Sequence, residues 1–582
     1  MSIKRNKFQK IIIIGALYFL VIVFFTWPLI FHLKTQIYGY PGDAFAMIHR
    51  IWYEKVNITE ANPPLRAEGQ LVLETLASGF GKVFNEVVAY NLIVLVAFFL
   101  SLINAHVLIS SIFKRNDIAI PLAIAYGVSQ FNLWQGMQHI EFVLASGFLP
   151  FLLLSLIKLE ETEKIDLKRA FFVAVSFSLC FFSSFYIGFF AILFMIAFFF
   201  LSRIFHGKAK IGNYFLSGLF LTALTLLATL PVAKSLLYKN DQSVTASLVK
   251  DISSSRKTEE LVAYGARPWD YLAPSINHPI FGKVVIGFYS YLRQHLSYQF
   301  KSVYLPERSN FIPLTIILFA LYGAIVGIKD RSKRFLSLLS FLLGLFMFWV
   351  SLPGKIHIPV FDINFYSPSW LIFKVVPFFR VYARAGILVL LCLLVLAAFG
   401  INKFLSKKVP EKARFWLILI SLLVVFENLN FPPFPVTNLP NTSKIYEWVK
   451  SQPKNSIIVE YPKDNSKNDI GGGCEKQLDP KVRRDFSYDL IFQITHEKKV
   501  VLNQDFSAED RVIIGDLGDK KTYKILKGKG VNYIVYHTTD LFPKNNPLDE
   551  CQSRRYGEVP SKTYDKIKLV ESFNDGVIYQ IM

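Results

Sequence analysis

The sequence predicts a polytopic α-helical membrane protein, with about 11 transmembrane helices, followed by a soluble α/β domain. Three observations carry this. The 582 residues are 53% hydrophobic and 15% aromatic, with a mean hydropathy of +0.37, more apolar than a soluble chain of this size requires. The apolar residues form continuous runs near the roughly 20 residues that cross a bilayer as a helix, without the alternation of a membrane barrel. After Phe431 the composition changes abruptly to alternating strand and helix patterns.

The first run, 11–31, follows Lys4, Arg5, Lys7 and Lys10 and lacks the small-residue pattern of a cleaved signal. It is read as a span leaving a cytoplasmic N-terminus. An outer loop, 32–86, leads to a second helix at 87–112 and the basic turn Lys114-Arg115. Helices at 118–133 and 142–158 enclose the outer turn 134–141, and the charged segment 158–169 returns inside. Helices at 170–183 and 186–203 meet outside at Ser183-Ser184-Phe185-Tyr186, which either lines a cavity or forms a tight connection. A helix at 213–232 opens a long outer segment, 233–308. Further helices follow at 310–328, 335–351, 385–402 and 415–429. Every short inner loop is then basic, as positive-inside topology requires.

These spans define a transmembrane domain, 1–431, and an extracytoplasmic α/β domain, 432–582, after the stiff segment Pro432-Pro433-Phe434-Pro435. In the tail, 442–451 reads as an amphipathic helix with Ile445, Trp448 and Val449 on its apolar face. Segments 456–461, 531–536 and 576–581 read as strands, and 464–485, with three consecutive glycines, as a mobile loop.

The net charge of +21 does not indicate nucleic acid. The tail holds 23 basic and 21 acidic residues, so the excess lies among the 41 basic and 22 acidic residues before it, largely in inner loops. Four cysteines are too few for a disulfide scaffold. Cys180 and Cys392 lie in apolar runs; Cys474 and Cys551 lie in the tail, either paired or as free thiols.

The topology places Asp43, His49, Arg50, Glu54, His139, Glu141 and Asp270 on the side opposite the cytoplasm. A carboxylate there can accept the proton of an attacking hydroxyl or hold a divalent cation, Mg²⁺ or Mn²⁺, near a phosphate leaving group. Pro41-Gly42-Asp43 is equally an ordinary turn signal. His139 and Glu141 either position an acid, metal or acceptor, or cap a helix. Arg380 and Arg384 share a face if their segment is helical, suiting them to a lipid phosphate; headgroup contact is the alternative. Trp269, Asp270 and His278 belong to a rigid aromatic segment that is either a substrate loop or a membrane anchor. P-loop, zinc-protease and nucleophile-elbow signatures are absent, and the apolar runs hold almost no charge, unlike proton-coupled transporters.

Several short motifs resemble the GT-C superfamily of integral-membrane glycosyltransferases and the related YfhO-type bacterial membrane proteins. They are Pro41-Gly42-Asp43, Ala89-Tyr90-Asn91, Gln138-His139-Ile140-Glu141 with Leu149-Pro150, Ser183-Ser184-Phe185-Tyr186 with Gly188, Asp270-Tyr271-Leu272-Ala273-Pro274, His278-Pro279 and Phe379-Arg380-Val381-Tyr382-Ala383-Arg384. Val459-Glu460-Tyr461-Pro462 and Gln493-Ile494-Thr495-His496 extend the resemblance into the tail. It implies a polyprenyl-phosphate sugar donor, an envelope glycan, lipid or protein acceptor, and inverting transfer with Asp43 as base. Glu54 and Glu141 compete for the place of a second acidic residue. A lipid or polysaccharide transporter or flippase, and a non-catalytic envelope scaffold, remain the other classes.

Overall fold

The computed structural model describes residues 2–39, 43–56, 70–162, 164–206, 211–238, 258–295, 306–358, 363–432, 434–440, 443–462, 486–502, 505–539 and 557–582. Pro41, Gly42, Cys474, Cys551 and the segment 464–485 lie outside these. The chain divides into two compact units. One comprises Met1–Phe25, Gly69–Thr75 and Val94–Phe434; the other comprises Thr26–Glu68, Leu76–Ile93 and Pro435–Met582. The second unit thus takes in much of the segment expected as the first outer loop, together with the tail.

Each expected span contains a helix, beginning with Ser2–Phe25, Glu86–Phe113, Asn116–Gly127, Ile140–Glu160, Leu167–Ser183 and Phe185–His206. Ile211–Tyr238, Leu314–Lys329, Arg334–Ser351, Gly386–Leu405 and Pro410–Glu427 complete them. Among the described residues, five helices are long and apolar enough to cross a membrane, and three shorter apolar ones accompany them. This is a multi-pass membrane protein. The helix expected at 118–133 is instead broken, resuming as Gln130–Gly136. Ser129 caps the new start by accepting from the Asn132 amide at 3.4 Å, while Asn132 Nδ2 donates back to the Tyr126 carbonyl at 2.9 Å.

Close packing in this unit relies on small residues. Leu314–Lys329 turns Leu318, Leu321 and Ile325 outward and buries Ala320 and Ala324. A side chain at Gly323 would collide with the Leu396 carbonyl, and one at Gly400 with the Phe319 carbonyl. Leu314–Lys329 and Gly386–Leu405 therefore cross backbone against backbone.

In the second unit, a five-stranded sheet has the order Lys499–Val500, Ile457–Tyr461, Tyr533–His537, Gly576–Ile581, Ile567–Phe573. The first three strands run parallel and the last two antiparallel. One face packs Val459, Tyr461, Ile534 and Tyr579 with Ile514 and Leu526. The other packs Ile458, Val535 and Ile578 with Ile445, Val449 and Leu490 from helices Lys444–Ser451 and Phe486–His496. In Lys444–Ser451, Tyr446 is buried and Trp448 only half-buried. Two segments remote in sequence join the unit. Gln36–Tyr38 pairs antiparallel with Val436–Asn438, and helix Asp43–Val56 packs on Phe486–His496.

The second face also holds a buried polar network. Tyr446 Oη donates to Glu460 Oε2 at 2.9 Å, and His537 Nε2 lies 3.0 Å from the same oxygen. Tyr446 stacks on Phe492 and His496. His49 and His496 are completely buried, and burial lowers each from the ordinary 6.5 to about 4. Below pH 6.5 the unfolded chain takes up protons that the folded one refuses until about pH 4. Stability is therefore full above pH 6.5 and falls on acidification through this window. Hydrogen exchange of the 457–461 and 533–537 strands, in the full chain in lipid, should accelerate progressively from pH 7 to 4.5 after correction for intrinsic rates. A pH-independent protection factor would contradict neutral buried imidazoles.

Candidate functional site

Short segments between the helices of the first unit bring several charged side chains together. The 3₁₀ turn Pro306–Arg308 delivers Glu307 to the 3₁₀ turn Tyr382–Ala385, which holds Arg384. The guanidinium donates twice, Nε to Glu307 Oε2 at 2.8 Å and Nη2 to Oε1 at 2.6 Å. Gln135 Nε2 adds a donor to Oε2 at 3.2 Å. Arg384 also packs against a pair of rings that meet edge to face, its Cζ 4.0 Å from the Phe142 centroid and 4.5 Å from that of Tyr186. Burial raises the Glu307 carboxyl, but Arg384 and His139 outweigh it and hold the group well below the usual carboxylate range.

His139 precedes helix Ile140–Glu160, with Glu141 in the first turn. Its Nδ1 lies 3.5 Å from Glu141 Oε1 and its Nε2 lies 3.4 Å from Glu307 Oε1. The two carboxylates thus face opposite ring nitrogens and do not converge with the imidazole on one coordination point. Among the described residues, no group of three or more His, Cys, Asp or Glu side chains is arranged to hold a metal ion.

Arg380 and Arg384 do not share a helical face, because Arg380 lies outside the short turn that holds Arg384. Both are engaged by carboxylates, Arg380 donating to Glu260 Oε2 at 2.7 Å and stacking over Tyr264.

The residues of the expected substrate loop are tied into hydrogen bonds. Asp270 is buried, accepting from Tyr289 Oη at 2.7 Å and the Arg267 amide at 2.8 Å, with Arg308 Nε at 3.9 Å. His278 is also buried. Its Nε2 lies 3.0 Å from the Phe426 carbonyl, and its Nδ1 accepts from the Ile280 and Phe281 amides at 3.2 and 3.1 Å. Trp269 is half-buried beside them.

Asp43 and Glu54 belong to the second unit. Asp43 is the first residue of helix Asp43–Val56 and is exposed. An acidic residue there complements the partial positive charge of the helix start. Glu54 lies three turns on, about 16 Å along the axis, and pairs with Arg50 at 3.4 Å. The two carboxylates of this helix cannot act on one atom. Sequence reasoning missed Glu307 and Gln135. The only local signal for Glu307 was the charged pair Glu307-Arg308 at the edge of an apolar run.

No family model and no curated protein matches the sequence. The backbone superposes on the arabinofuranosyltransferase AftD from Mycobacteria with a TM-score of 0.55 at 12% identity, over 98% of this chain and 40% of that one. The chain has a GT-C-like fold. It spans two fifths of the length of AftD. Looser superpositions relate the GT-C-like chain to two other proteins. For the archaeal oligosaccharyltransferase AglB from Archaeoglobus fulgidus, the TM-score is 0.47 at 9% identity, over 90% of this chain and 69% of that one. For ArnT from Cupriavidus metallidurans it is 0.48 at 8% identity, over 99% and 98%.

Removing one partner of a buried ion pair strands the other's charge. Arg384→Ala should therefore destabilise the GT-C-like protein by about 3–5 kcal/mol, and Arg384→Ala with Glu307→Gln should recover part of the loss. Thermal unfolding in lipid nanodiscs measures both. Because the Glu307 carboxyl is lowered, the contribution is full above the unfolded value of 4.5 and lost only as pH falls through the folded value. An unchanged transition in Arg384→Ala at pH 7 would contradict the pair's role.

Proposed function

We propose that the chain is a membrane glycosyltransferase. It moves a sugar from a polyprenyl-phosphate donor to an envelope glycan, lipid or protein acceptor on the extracytoplasmic face. The observation that carries this reading is the fold likeness over 98% of the chain to a protein named as an arabinofuranosyltransferase. The donor class comes from the sequence resemblance.

In the reaction we assign, the Asp43 carboxylate takes the proton of the acceptor hydroxyl as its oxygen forms a bond to the anomeric carbon. The bond from that carbon to the phosphate oxygen breaks, the electron pair leaves with polyprenyl phosphate, and the configuration inverts. Asp43 suits a base because it is exposed at the start of its helix.

The test is transfer by the full chain in lipid from labelled polyprenyl-phosphate arabinofuranose, then from a panel of polyprenyl-phosphate hexoses, to membrane-glycan acceptors. Wild type should transfer one of these sugars with inversion, read from the product anomer by NMR. Asp43→Asn should lose about 100- to 10,000-fold in kcat, the range of a general base. Folded wild-type protein that neither transfers nor hydrolyses any donor would sink the reading; a fully active Asp43→Asn would remove Asp43 alone.

A further inference from the structure

We propose that Gln493, in the tail, is a positioning residue for Asp43, holding through His49 the helix that presents the carboxylate. This rests on the reading of Asp43 as the base. Both side chains belong to the same compact unit. Phe45, Ile48, His49 and Trp52 form one buried stripe on Asp43–Val56, and the helix lies against Phe486–His496. Apolar contact alone is non-directional and leaves a helix free to rotate or slide. A directional bond between these helices joins His49 Nε2 to Gln493 Oε1 at 2.7 Å.

Gln493 is itself fixed. Its Nε2 donates to the Lys498 carbonyl at 2.8 Å, which leaves Oε1 as an acceptor toward His49. His49 must then carry its proton on Nε2, and burial keeps the ring neutral. Both residues are completely buried, so water does not compete for the bond and the low-dielectric surroundings strengthen it. Between His49 and Asp43 the helix reads Ala44-Phe45-Ala46-Met47-Ile48, without proline or glycine to bend it. The bond lies about 9 Å along the axis from the carboxylate. A change of rotation at His49 is therefore transmitted to Asp43 undiminished.

The experiment uses the full chain in lipid, with hydrogen exchange at 44–50 and steady-state transfer from the sugar donor identified above. His49→Phe keeps a ring but no donor, and Gln493→Ala removes the acceptor. Each should raise exchange at 44–50 at least tenfold, leave 140–160 unchanged, and lower kcat at least tenfold with donor KM within twofold. His49→Gln restores a donor amide and should recover both readouts, which also keeps the comparison informative if Gln493→Ala does not fold. In an Asp43→Asn background, Gln493→Ala should cost no further kcat. Unchanged exchange in His49→Phe, or kcat losses of Gln493→Ala and Asp43→Asn that multiply, overturns the positioning role while leaving the base intact. Full activity in Asp43→Asn, or no transfer by wild type, instead removes the base reading and the positioning role with it.

Discussion

The ion pair between Glu307 and Arg384 is the interaction on which the charged cluster of the first unit depends. Two opposite charges with little access to water are tolerable only when each has its hydrogen bonds met. Here the guanidinium gives two donors to the carboxylate and packs against Phe142 and Tyr186. Phe142 and His139 flank the start of the same helix, so holding Arg384 also fixes the imidazole beside Glu307. The neighbouring residue, Arg308, turns to Asp270. One 3₁₀ turn thereby ties the His139 cluster to the buried framework around Tyr289 and Arg267.

The second unit also buries polar groups against one another. Its sheet buries Glu460 on the face that also holds Tyr446 and His537, and two nearby histidines stay uncharged because burial disfavours their protonation. Apolar contacts supply the attraction between helix Asp43–Val56 and the tail, while the polar ones define orientation. Such networks stabilise strongly only when their members are satisfied together, which makes this interior sensitive to changes that the surrounding Leu, Ile and Val core would absorb.

How much of this was legible follows from the range of each signal. Continuous apolar runs set off by basic segments announce helices locally, and the β-branched segments at 457–461, 533–537 and 576–581 announce strands. Ile567–Phe573 escaped because an exposed strand with Lys568 and Glu571 has no apolar face to show. The break at Ser129 was hidden within an apolar run, since it depends on side-chain bonds by Asn132. Asp43 and His139 drew attention as polar residues near predicted spans. Glu307 did not, because its meaning lies in a partner 77 residues away. Asp270 and His278 look like a substrate loop in sequence for the same reason: their partners, Tyr289 and the Phe426 carbonyl, are set by tertiary structure.

The crossing of Leu314–Lys329 over Gly386–Leu405 has a mechanical meaning. Ordinary helix pairs slide on interlocking side chains, which can change rotamer to accommodate small shear. At Gly323 and Gly400 the main chains themselves abut, leaving nothing soft to absorb displacement. This joint behaves as a weld rather than a bearing. The two helices are obliged to travel as a single plate, and any breathing of the first unit must be taken up along its other seams.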